Sequence, residues 1–146
     1  MALSAQNGSE RARQLIALTV RLGERLERES VLLEAHRPQD LYDGIEETRS
    51  LSNLYRHECT RIRMDPSLLA GMSAAEKQAL KTATELFNER VQRYEHAVGA
   101  AKTVTEGIIA AVAQDLSALK TQTATYGPKA TTNSSGPQSL NFNRKA

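Results

Sequence analysis

Residues 74–122 read AAEKQALKTATELFNERVQRYEHAVGAAKTVTEGIIAAVAQDLSALKTQ, and no proline interrupts them. Leu80, Ala83, Phe87, Val91, Tyr94, Val98, Ala101, Val104, Ile108, Val112, Leu116 and Leu119 recur at steps of three and four. That is the period of an amphipathic helix. At about 1.5 Å per residue the helix is roughly 70 Å long. Its start is marked by Ser73-Ala74-Ala75-Glu76, a capping box in which the Ser oxygen caps the Glu N–H and the Glu side chain returns to the Ser N–H.

Two shorter helices precede it. The first spans 9–36, with Leu15, Leu18, Leu22, Leu26 and Leu33 on one stripe and charged residues elsewhere. Pro38 disfavours helical geometry at Arg37 and suits the first turn of a new helix, so the pair predicts a tight reversal. The second helix spans 38–63, carries Leu41, Ile45, Leu51, Leu54, Tyr55, Cys59 and Ile62, and stops before Asp65-Pro66. Each is roughly 40 Å long, too short to cover the third. The expected fold is therefore all-α, an antiparallel three-helix bundle or coiled coil with an extended third helix. It forms one helical domain over 1–124, and residues 125–146, rich in Thr, Ser, Asn, Gly and Pro, form a disordered tail.

Composition narrows the function. The chain of 146 residues has no tryptophan and an aromatic content of 4%, so burial rests on aliphatic helix faces rather than on a deep catalytic pocket. A net charge of +2, with both signs interleaved, leaves no electrostatic footprint for nucleic acid. One cysteine, Cys59, excludes an internal disulfide and fits a reducing compartment. The N-terminus lacks the basic and apolar regions of a secretory signal, and the longest uncharged apolar run, 107–114, is too short to cross a bilayer. These features place the protein in the cytoplasm, with no membrane insertion.

The chemistry-bearing residues do not converge. His36, His57 and His96 lie on three segments, and His57 and Cys59 diverge by roughly 200° on a helix, so no metal site is expected and no cofactor is implied. Glu46 and Glu47 point apart on a solvated face, without apolar surroundings to raise a pKa. Arg56, His57, Arg61 and Arg63 gather where the end of a helix dipole favours cations, which explains them without an anion ligand. No catalytic residue is expected, and the protein is read as a non-enzyme. From 97 to 124 only Lys102, Glu106, Asp115 and Lys120 are charged. A helix so poor in charge is rarely left bare in water; its apolar face suits a protein partner or a second copy, and sequence alone does not choose between them.

The Glu-rich early segment Leu22-Gly23-Glu24-Arg25-Leu26-Glu27-Arg28-Glu29 and the long third helix with its tail resemble the FlgN-type flagellar export chaperones. Two stretches, Leu51-Ser52-Asn53-Leu54-Tyr55-Arg56-His57-Glu58 and Ala101-Lys102-Thr103-Val104-Thr105-Glu106-Gly107, resemble the alphaproteobacterial FlgN-like, or FlbY, branch. The resemblance spans most of residues 10–127. It implies a chaperone of flagellar type III secretion that binds hook-associated, filament-type subunits in the cytoplasm, prevents their premature assembly and delivers them to the export gate. It implies that the C-terminal helix holds the client, and that an aromatic near its end, here Tyr126, docks on the gate. The client-binding candidates are then Val98, Ala101, Val104, Ile108, Val112, Leu116 and Leu119, packed on an amphipathic helix of the client. The alternative is a coiled-coil homo-oligomeric scaffold using the same surface.

Overall fold

A computed structural model describes residues 2–126, with side chains as far as residue 121. The described residues are all-helical: α1 (Gly8–Glu34), α2 (Ile45–Met64) and α3 (Ala74–Tyr126), with short 3₁₀ helices at Pro38–Leu41 and Pro66–Leu69. The expected tail, 125–146, lies outside the described residues beyond Tyr126. The chain divides into two units, Met1–Lys102 and Thr103–Ala146.

The first unit is the three-helix bundle. Asn7 caps α1 by accepting the Glu10 N–H at 2.8 Å. From there Ala12, Leu15, Leu18, Leu22, Leu26 and Leu33 line its buried face. Antiparallel pairing with α2 follows from contacts at opposite ends, Arg11 to Glu58 and Arg25 to Thr48. The early part of α3 runs alongside α1 in the same direction, since Ser9 bonds Glu76 and Glu34 bonds Arg93. Leu22, Leu26 and Phe87 form the centre, with Leu51, Tyr55, Val91 and Tyr94 packed around them. The Tyr55 and Phe87 rings stand 4.8 Å apart, tilted by 49°, a favourable aromatic geometry.

Two boundaries, the end of α1 and the start of α3, have local causes. The Leu33 carbonyl accepts the His36 N–H at 3.1 Å and the Leu32 carbonyl accepts the Arg37 N–H at 2.9 Å, a Schellman end to α1. His36 takes the left-handed position at φ 57, where glycine is preferred. His36→Gly is therefore expected to stabilise the fold by about 0.5–1 kcal/mol, the relieved strain less the entropy of a freer unfolded chain. An unchanged urea midpoint would contradict it.

The second helix departs from the sequence expectation. Instead of one helix over 38–63, Pro38 starts a short 3₁₀ turn, and α2 begins at Ile45 behind Gly44. The Gly44 carbonyl accepts a 2.6 Å bond from Arg25 Nη2, and a Cβ on residue 44 would stand 1.6 Å from that same nitrogen. Glycine lets the α1 guanidinium reach the backbone there, and the helix starts after it. The capping box forms as expected: Glu76 N–H donates to Ser73 Oγ at 3.1 Å and Ser73 N–H donates to Glu76 Oε2 at 3.0 Å. At its other end α3 reaches Tyr126, the last described residue, rather than residue 122.

Candidate protein-docking face

The bundle's own polar chemistry is internal and structural. Glu58 occupies an apolar-stripe position of α2, and its side chain is fully buried. It accepts the Leu3 N–H at 3.0 Å, Arg11 Nη1 at 3.0 Å and Arg61 Nη1 at 3.1 Å. At the far end of the hairpin, buried Glu29 accepts the Thr48 hydroxyl, which in turn accepts Arg25 Nε at 3.2 Å. Burial pushes the Tyr94 hydroxyl up, with Glu29 beside it adding to the effect. Two polar layers therefore bracket the Leu22–Phe87 centre. Neither Glu58 nor Arg11 appeared among the sequence candidates.

The arginine group around α2 is partly consumed by this layer. Arg61 serves Glu58, and Arg56 bonds the Asn53 side chain at 3.1 Å. Glu46 and Glu47 are exposed, as expected of a solvated face, and Glu47 pairs there with Arg21 and Arg25 of α1. His36, His57 and His96 are exposed and separate, and Cys59 lies against Tyr55, whose hydroxyl is pushed up by burial and then by that thiol. Among the described residues no group of three His, Cys, Asp or Glu could hold a metal ion, and no helix is long and apolar enough to cross a membrane.

Burial alone would raise the Glu58 carboxyl, but the Leu3 N–H and the Arg61 and Arg11 guanidinium groups outweigh it and hold it below the usual carboxylate range. The hydrogen bond from Arg93 lowers Glu34, that from Arg21 lowers Glu47, and those from Ser9 and Ser73 lower Glu76. A carboxyl whose folded pKa lies below its unfolded value stabilises the fold above the unfolded value, about 4.3 for Glu, and loses that contribution as pH falls through the folded one. Thermal stability is therefore expected to fall in acid below about pH 4, and Glu58→Gln should shorten that acid limb. A midpoint unchanged between pH 5 and 3 would refute this.

The docking candidates have a different character. Val98, Val104, Ile108, Val112, Leu116 and Leu119 are all exposed, Ile108 and Leu116 at 60%, while Ala101 is half-buried. Every residue from 102 to 121 is exposed. Within the second unit, at about 100° per residue, Val104, Ile108, Val112, Leu116 and Leu119 fall within one sector roughly 120° wide. Ile109, 62% exposed, borders that sector and was missed because it steps off the three-and-four spacing. The spacing that places Phe87, Val91 and Tyr94 in the bundle centre continues through Val98 to Leu119. The first three pack in the bundle, whereas Val104, Ile108, Val112, Leu116 and Leu119 of the second unit are exposed. Tyr126 ends α3, and its side chain lies outside the described residues.

No family model matches the chain, and no solved structure matches it. The flagellar basal-body protein FlbY of Caulobacter vibrioides is 39% identical over 150 residues, an alignment that covers 100% of both proteins.

Proposed function

Since the chain belongs to the family of the flagellar basal-body protein FlbY, we propose that it is a non-enzymatic flagellar export chaperone acting in the cytoplasm. In this reading it holds hook-associated, filament-type subunits, prevents their early assembly and passes them to the export apparatus. The observation that carries the reading is the exposed apolar sector of α3 from Val98 to Leu119. Two properties support it: the sector is helical, and it is nearly free of charge. Such a face binds an amphipathic helix by apolar burial, at roughly 25 cal/mol per Å² removed from water.

Val98, Ala101, Val104, Ile108, Val112, Leu116 and Leu119 are the proposed client contacts, and Tyr126 is the proposed contact to the gate. The chemistry also separates this reading from nucleic-acid binding by the α2 arginines. Association through an apolar sector should change little with ionic strength, whereas phosphate binding weakens steeply.

Mixing the purified protein with a purified hook-associated subunit tests the reading. Light scattering should find a species containing both chains that survives raised salt. Recovery of the subunit alone beside a self-assembled form of this protein would refute the chaperone reading and leave the face to a homo-oligomeric scaffold.

A further inference from the structure

The apolar sector contains one charge. Taking Ile108 as reference and about 100° per residue, Lys102 and Lys120 lie about 120° away and Glu106 about 160° away, all clear of the sector. Asp115 lies about 20° from Ile108, two turns further on, flanked along the helix by Val112, Leu116 and Leu119. It is exposed, as its neighbours are.

A carboxylate in that position cannot be served by its own helix. The residues three and four positions away are Ala111, Val112, Ala118 and Leu119, so no lysine or arginine stands where an intrahelical ion pair would form. When a partner covers Val112, Leu116 and Leu119, Asp115 loses water along with them, and an unpaired desolvated carboxylate opposes binding. An occupant that places a cation opposite Asp115 offsets that cost. A second copy of this chain laid parallel and in register would supply another Asp115, a like-charge contact that disfavours it.

We propose that the helix docked on this face carries a lysine or arginine at the level of Asp115, and that this pair sets the register and selects the client. The inference rests on the client-docking reading and adds to it the chemistry of the partner. The apolar residues provide affinity, while Asp115 discriminates among helices that are equally apolar.

The test titrates a purified hook-associated subunit into the full-length protein and its Asp115→Asn, Asp115→Lys and Ile108→Asp variants, at low and at high salt. Circular dichroism is recorded for each. Asp115→Lys should bind at least about tenfold more weakly than the unaltered protein. Asp115→Asn should lose less affinity than Asp115→Lys. Reversing one basic residue in the client's docked helix to glutamate should restore binding to Asp115→Lys. If Asp115→Lys binds like the unaltered protein while Ile108→Asp fails, the docking face stands and the pairing is wrong. If the unaltered protein does not bind the subunit, the docking reading falls and this inference with it. If Asp115→Lys alters only the protein's own mass by light scattering, the occupant is a second copy and the proposal is overturned.

Discussion

Ile108→Asp should abolish client binding while leaving the free protein folded. Ile108 is 60% exposed, so its replacement opens no cavity. On a helix surface the exchange alters intrinsic propensity by only a few tenths of a kcal/mol. In the complex the same carboxylate would enter a dry helix–helix contact, where an unpaired charge costs several kcal/mol. A loss of at least about a hundredfold in affinity follows. Ser73→Ala is the counterpart: it removes the 3.1 Å bond to the Glu76 N–H and should loosen the start of α3 by about 1 kcal/mol with little effect on the client. Circular dichroism and titration of both variants check the pair. If Ile108→Asp unfolds the isolated monomer, the surface was internal core. If it only divides an oligomer while client binding persists, the face serves self-association.

The second large effect belongs to Glu58. Glu58→Ala should destabilise the fold by about 3–5 kcal/mol, because Arg11, whose side chain is 9% exposed, would keep its charge without a buried partner. It would also free the Leu3 N–H and Arg61. Against a total stability of about 5–15 kcal/mol for a typical domain, that loss takes up a large share. The pair Arg11→Met with Glu58→Leu should recover most of it, since well-packed apolar replacements of a buried ion pair are often neutral or better. Urea unfolding measures both. A single-variant loss under about 1 kcal/mol would show that the layer is wetter and weaker than its geometry implies.

The contrast between these sites explains what could be read in advance. Helices α1 and α3 were legible because Leu15 to Leu33 and Leu80 to Leu119 repeat at helical spacing, and Ser73 with Glu76 marks a boundary through bonds between neighbours in the chain. The start of α2 was not, because Gly44 is fixed by Arg25, nineteen positions earlier in sequence. Glu58 is a similar case: its charge suggests solvent, and the partner that makes burial tolerable, Arg11, is separated by 47 positions. Local periodicity says which face of a helix is apolar, whereas long-range contacts decide whether that face is covered. Phe87 and Ile108 share one seam in sequence, and only the folded bundle shows that the first is 8% exposed and the second 60%.

Hydrogen exchange of the protein alone and with a hook-associated subunit tests the docking face most directly. Apolar capture predicts added protection of backbone amides within residues 98–121 when the subunit is present, with α1 and α2 unchanged. Protection that appears on α1 or α2 while residues 104–119 exchange as in the free protein would contradict it.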